Sequence, residues 1–375
     1  MLGMLGGGQL GRMFTLAAHS MGYRVSVLDP DPSSPAGQIA DVHLKAAYQD
    51  RDALQQLADT CAAVTTEFEN VPADSLRWLA SRCTVRPTGD SVAVAQDRLR
   101  EKQFLGQSGF AVAPFTPVQT LEDCDKADGA LLPGILKRAR FGYDGKGQVS
   151  VTTLEEVRSA FVAMGSEPCV LEKRVTLACE VSVVAARGAN GATRSFPIAE
   201  NRHENGILDL SIAPARVGRE VALKAESVAQ AVATKLGYCG VLAVEFFLTD
   251  AGELLVNEIA PRPHNSGHYT IDACTTSQFE QQVRTLCGLP LGESRLLSAV
   301  VMVNLLGDAW QRGEPAWEAV FACPEAKLHL YGKREARPGR KMGHYTVLGD
   351  KADAALDKAL AIRSRLSPDF QLQSA

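Results

Sequence analysis

Short apolar runs alternate with helical spacing over the opening of the chain. "MLGML" precedes a glycine turn, "QLGRMFTLAAHSMG" places apolar residues at helical intervals, and "YRVSVLD" returns to an almost unbroken apolar run, so a βαβ unit is predicted. "AAVTTEFENVP" and "CTVRP" continue the series, and residues 1–95 read as a small parallel α/β domain. The stretch "SVAVAQDRLREKQFLGQSG" predicts one helix ending at Gly109, after which the texture changes. "GILK", "GQVSV", "CVLEKRV" and "CEVSVVAAR" read as strands joined by glycine loops, with helices at "VRSAFVAMG" and "SQFEQQVRTLCG". This α+β region is assigned to 96–292. The rest, 293–375, opens with the strand "SAVVMVNLLG", closes in a helix and is expected to form a small C-terminal domain.

Size and composition narrow the function classes. A chain of 375 residues, 46% of them hydrophobic, has material for two or three domains with buried cores. Lys and Arg total 39 against 43 Asp and Glu, a formal net charge of −4, so no general attraction to nucleic acid or an anionic membrane is expected. Nine cysteines without a Cys-x-x-Cys pair suggest neither a disulfide framework nor a zinc site, and they read as reduced thiols of a cytoplasmic protein. No apolar run approaches the roughly 20 residues needed to span a bilayer.

The first chemical signal is a pair of acids in "GVLAVEFFLTDAGELLVNEIAP". Two β-rich runs flank a turn, and if Ala251 and Gly252 form a two-residue hairpin loop, Glu245 lies opposite Glu258 while Asn257 faces the other way. Two such carboxylates repel by roughly 4 kcal/mol at about 4 Å and an effective dielectric of about 20. A divalent cation turns that liability into a site, and all-oxygen ligands select Mg²⁺ or Mn²⁺.

Phosphate-binding signals flank this pair. In "GILKRARFGYDGKGQVSV", Lys137 ends a strand and Gly142, Gly145 and Gly147 follow, a spacing that lets backbone N–H groups approach phosphate oxygens. Near the start, Gly6, Gly8 and Gly11 spell the dinucleotide fingerprint with Asp29 at a later strand end, which supports a rival reading as an NAD-dependent oxidoreductase. The same turn can hold a sugar phosphate. Lys333, Arg334, Arg337, Arg340 and Lys341 gather around a Pro-Gly bend and offer a local grip for an anion. A catalytically silent nucleotide-binding protein is the third reading.

Taken in order, "GGGQLGRM", "TEFENVP", "FGYDGKGQ", "ENRHENGIL", "VEFF", "NEIAPRPHNSGH" and "KREARPGRKMGH" resemble N5-carboxyaminoimidazole ribonucleotide synthetase, an ATP-grasp ligase of purine biosynthesis. The resemblance implies an ATP-grasp fold with ATP between two α+β lobes, preceded by the parallel α/β domain. It implies ATP-dependent carboxylation of 5-aminoimidazole ribonucleotide by bicarbonate through carboxyphosphate, and a homodimer. By the same resemblance Glu245 and Glu258 are metal ligands, and Arg98, Lys137 and the loop Gly142, Tyr143, Asp144, Gly145, Lys146, Gly147, Gln148 bind the nucleotide. Glu172, Lys173, Arg174 and Val175 would pass the adenine edge, Glu180 would bind ribose, and His203, Asn257 and Glu258 would add ATP contacts. Gln9, Leu10, Glu67, Asn265, Lys333, Arg340 and Lys341 would hold the ribonucleotide. Arg262, four residues after a metal ligand, is placed to stabilise carboxyphosphate, and Asp144 to orient the substrate amine or accept its proton. His203 reads as a contact residue and not a proton carrier, and His264 as an ordinary surface or hydrogen-bonded histidine. Two departures from the family pattern are the short run Met1–Leu5 before the glycines and Phe141 where glycine is usual.

Overall fold

Three sheets organise the chain, and the computed structural model describes residues 1–142 and 146–366. The first is parallel, in the order β3-β2-β1-β4-β5, with β1 Leu2–Leu5, β2 Val25–Leu28, β3 Val42–Leu44, β4 Ala63–Thr66 and β5 Thr84–Val85. Every residue of β1, β2 and β4 is buried, because helices cover both faces, and this is why these strands read as unbroken apolar runs.

The single helix expected over 91–109 is two helices, Gly89–Ala95 and Arg98–Gln107. Asp97 breaks the run by turning its carboxylate onto the N–H groups of Leu99 and Arg100, a side-chain cap that starts the second helix afresh. The break leaves Arg98 as the first helical residue, facing the later strands.

A second, four-stranded sheet follows in the order β6-β9-β7-β8, with β6 Phe115–Val118, β7 Gly134–Arg138, β8 Gln148–Val151 and β9 Cys169–Lys173. The third and largest is antiparallel, β15-β14-β10-β12-β13-β16-β18-β17, with short β11 (Thr193–Ser195) beside β10. Its members are β10 Leu177–Arg187, β12 Ala199–Glu204, β13 Ile207–Ala213, β14 Gly240–Thr249, β15 Leu254–Ala260, β16 Ala299–Leu306, β17 Ala326–Leu330 and β18 Lys341–Gly349. The strands of the C-terminal segment therefore extend this sheet rather than building another.

Helix Arg219–Lys235 closes one face of the large sheet, packing Ala225, Ala229 and Val232 against Val181, Val183, Leu242 and Val244. On its other face, helix Gln278–Cys287 ends at Gly288 in the left-handed region and joins the N-terminal unit, with Phe279, Val283 and Leu286 sharing a core with Met4, Phe14 and Val27. Gln282 adds amide hydrogen bonds to the Thr65 hydroxyl and the Thr66 carbonyl. At this junction His268 and His344 are fully buried with ring centroids 5.0 Å apart, and His344 stacks on His329 at 4.6 Å.

Candidate active site

Strands β14 and β15 carry the two acids singled out above, and Glu245 pairs with Glu258. The route to that pairing differs from the expected one. The loop has three residues, Asp250, Ala251 and Gly252, with Gly252 at φ +80° and the Thr249 N–H donating to the Glu253 carbonyl at 2.9 Å. Leu248 therefore faces Leu254 and Phe246 faces Val256, one step out of the register that a two-residue loop would set. Asn257 then bulges from β15 as an extra residue and restores the pairing. Through the bulge Asn257 lines the same cavity as Glu258, although simple alternation had turned it away.

The protein answers part of the repulsion between the acids itself. Arg98 donates to Glu258 at 2.9 Å, and His264 Nε2 lies 2.9 Å from Glu245 Oε1. Burial alone would raise the Glu245 carboxyl, but His264, His203 and Arg262 outweigh it and hold it well below the ordinary carboxylate range. Glu101, one turn after Arg98, accepts the Ile259 N–H at 2.6 Å and so pins β15 beside Glu258; burial and the nearby Glu258 push this carboxyl up to about 8.

A cavity of about 1080 Å³ runs from this hairpin towards β9 and β7. At that end Glu172 receives Lys137 at 3.0 Å and Lys102 at 3.3 Å on one oxygen, while its other oxygen is buried with no hydrogen-bond partner among the described residues. Burial lowers the Lys137 ammonium; it also works against the Glu172 carboxylate, which the two lysines nonetheless hold low. Lys173, Arg174 and Val175 continue the wall, and Glu180 meets His203 at 2.8 Å. Burial favours the neutral His203 ring, but Glu180 and Glu245 shift it upward.

The opposite end belongs to the N-terminal turn. Glu67 sits on the start of helix Gln9–Ser20, accepting from the N–H of Gly8 at 2.5 Å and of Gly11 at 2.7 Å. Burial raises this carboxyl to about 7 despite those two bonds. Asp29 is likewise engaged, by the Gly7 N–H and the Tyr48 hydroxyl, each at 2.7 Å. The oxidoreductase reading fails here: the place where the fingerprint would seat a pyrophosphate is filled by the protein's own carboxylate, and the acid expected on a ribose is occupied. Gln9, Leu10, Asn265, Lys333 and Lys341 line the cavity around this end, and Lys333 donates to Gln9 at 2.5 Å. Arg262 also faces in, its Nε held by Glu69 at 2.5 Å and its Nη1 by the Pro263 carbonyl.

Not every expected residue gathers here. Gly142 and Gln148 line the cavity, whereas Lys146 and Gly147 stand outside its lining, on the turn that leads into β8. Arg340 lines a smaller adjoining pocket of about 270 Å³ with Asp29, Asp31 and Lys333, because its guanidinium is drawn to the Glu335 carbonyl. Tyr143, Asp144 and Gly145 lie outside the described residues, so the role given to Asp144 has no structural account. Sequence reasoning missed Glu69, Glu101 and Lys102 and undervalued His264. Glu69 lay in the motif "TEFENVP", and its acid was a usable signal; Glu101 and Lys102 look like ordinary helix-surface charges.

Comparison with known proteins gives the same architecture a family. The ribonucleotide synthetase preATP-grasp domain matches residues 1–96, the ATP-grasp domain 103–279, and the phosphoribosylaminoimidazole carboxylase C-terminal domain 300–358. The N5-carboxyaminoimidazole ribonucleotide synthase of Bacillus subtilis is 46% identical over 94% of this chain and 92% of its own length. The chain belongs to the N5-carboxyaminoimidazole ribonucleotide synthase family. Solved structures of the family superpose closely: the Thermus thermophilus synthetase has a TM-score of 0.92 at 43% identity, with all of both chains covered. The Aspergillus clavatus synthase, solved with ADP and 5-aminoimidazole ribonucleotide, has a TM-score of 0.91 at 32% identity over 98% of each chain.

Proposed function

We propose that the cavity works through carboxyphosphate, with Glu245 and Glu258 holding Mg²⁺ or Mn²⁺. The chain is an ATP-dependent carbon–nitrogen ligase of the ATP-grasp class that converts ATP, bicarbonate and 5-aminoimidazole ribonucleotide into N5-carboxyaminoimidazole ribonucleotide, ADP and phosphate. The observation that carries the proposed route is the pair of facing acids, set between a lysine-held carboxylate at one end of the cavity and Lys333, Lys341 and Arg262 at the other.

The donor set fits a hard cation. Glu245, Glu258 and the Asn257 Oδ1 offer oxygen only, and that Oδ1 is buried with no partner among the described residues. A second grouping, Glu180, His203 and Glu245, brings three ligand atoms within 4.8 Å, but its imidazole suits softer ions. When bound, the metal would withdraw charge from phosphate oxygens. Glu172, fixed by two ammonium groups, presents its unpartnered oxygen to a purine amino group, and Glu180 accepts from a ribose hydroxyl. A bicarbonate oxygen attacks the terminal phosphorus of ATP and ADP leaves. Arg262, immobilised by Glu69, faces the resulting anion as a preorganised guanidinium. The ribonucleotide amine then forms the new C–N bond, phosphate departs, and the amine proton is lost, with Asp144 assigned to orient the amine or to receive that proton.

ADP release that requires both bicarbonate and 5-aminoimidazole ribonucleotide, and that stops when Mg²⁺ is chelated, is the expected result. Release that persists under chelation removes the cation assignment, and release indifferent to the ribonucleotide removes the proposed route. The homodimer and the cytoplasmic location belong to this proposal as well; sedimentation velocity tests the first, where a single 40.2 kDa species would contradict it.

A further inference from the structure

A line of buried polar side chains crosses the large sheet behind the cavity and ends on Glu245. Ser211 on β13 bonds Asn201 on β12 at 2.8 Å, Asn201 bonds Ser182 on β10 at 2.9 Å, and Ser182 bonds Ser266 at 2.7 Å. Ser266 Oγ lies 2.8 Å from His264 Nδ1, and His264 Nε2 lies 2.9 Å from Glu245 Oε1. The four residues upstream of His264 are each at most 5% exposed.

One contact fixes the direction of the whole line. The backbone N–H of Ser266 points at His264 Nδ1 at 3.3 Å, and a backbone N–H can only donate. Nδ1 is therefore an acceptor without a proton, and the Ser266 hydroxyl beside it donates as well. Ser266 Oγ must then accept from the Ser182 hydroxyl, Ser182 Oγ from the Asn201 amide, and the Asn201 carbonyl oxygen from Ser211. A neutral imidazole with Nδ1 bare carries its proton on Nε2, and that proton points at Glu245. Gln278 fixes the backbone beneath the ring, accepting from the His264 N–H and donating to its carbonyl, both at 2.8 Å.

We infer that the Ser266 backbone N–H sets His264 in its Nε2–H tautomer and that Ser266, Ser182, Asn201 and Ser211 are positioning residues whose side-chain line holds the ring there, making it a fixed hydrogen-bond donor to Glu245. The lock engages one oxygen of Glu245, leaves the other for a cation, and brings no competing positive charge into contact with the carboxylate. Ser211 is fully buried, so the line is a clamp and not a proton path to solvent. Its functional meaning rests on the proposed cation role of Glu245; the tautomer does not.

The test separates the two. Nitrogen-15 spectra of histidine-labelled, substrate-free protein at pH 7.5, with His264→Gln used to assign the resonance, should show His264 protonated at Nε2 and bare at Nδ1. Ser266→Ala keeps the backbone N–H on Nδ1, so the Nε2–H form should persist, but the ring loses its second donor and kcat should fall about 10- to 100-fold while KM for ATP and ribonucleotide stays within about threefold. Ser182→Ala should act in the same direction, and Ser182→Thr, which restores the hydroxyl, should recover most of the loss. A wild-type ring protonated at Nδ1, alone or with Nε2, overturns the inference. An unchanged kcat in Ser182→Ala overturns the part played by the residues beyond Ser266. The expected tautomer in a protein whose turnover ignores Mg²⁺ supports the lock and counts against the cation role alone.

Discussion

Asn257 holds a buried carbonyl oxygen with no partner among the described residues, and an unsatisfied group of this kind costs about 1–3 kcal/mol. A fold tolerates that cost most readily where the atom is kept for a ligand. Asn257→Ala is therefore expected to leave the melting temperature unchanged or higher while raising KM for ATP at limiting Mg²⁺; a fall in stability with unaltered KM would make Asn257 a structural residue. Glu258→Gln keeps an acceptor for Arg98 and removes one charge, so thermal unfolding should change little while ADP release is abolished. Near-normal turnover would contradict the metal assignment. Glu245 and Glu258 were legible in the sequence because acids are out of place in apolar strands. Glu101 and Lys102 were not, because a charge on a helix is ordinary until tertiary packing buries it, as it does both of these.

The β14–β15 hairpin shows how an element can be placed correctly for an incomplete reason. A two-residue loop and strict alternation put Glu245 opposite Glu258, and the structure reaches the same pairing through a longer loop offset by a bulge. Neither irregularity is visible as a residue type: Gly252 fits both loops, and Asn257 resembles any polar strand residue. The helix break after Gln96 was more legible, since Asp is a strong capping residue, yet the helical spacing on either side masked it. Asp97→Ala should expose that break. Losing the cap costs about 1 kcal/mol and frees the first turn of the helix that aims Arg98 at Glu258, so a lower melting temperature together with a higher KM for ATP is expected. Calorimetry and initial rates measure both, and a stability loss without a kinetic effect would uncouple the cap from the site.

At the scale of the molecule, the alternation of parallel α/β and antiparallel texture announced the sheets, but not that strands from the last quarter complete the large one. Strand order is set by long-range pairing that local pattern does not encode. The junction of the units also carries the acid sensitivity. Burial holds His268 and His344 well below the ordinary histidine range, Lys341 and Arg262 add repulsion at His268, and Asp272 opposes the shift at His344. Unfolded histidines take up protons below about pH 6.5 while these two stay neutral, so the unfolded state binds more protons there and stability falls as pH drops. Each contributes about 1.4 kcal/mol per pH unit within that window. Melting temperatures at pH 7.5 and 5.5 should diverge less in His344→Gln than in the parent; equal slopes would place the acid sensitivity elsewhere.

Gln9 and Lys333 touch across 324 positions of sequence, and both belong to the wall of the reaction chamber. A chain emerging from the ribosome can finish its first sheet early, yet it has no complete substrate pocket until its tail has been made and carried back to its head. A copy that loses its tail loses with it part of the wall that Gln9 and Lys333 build together.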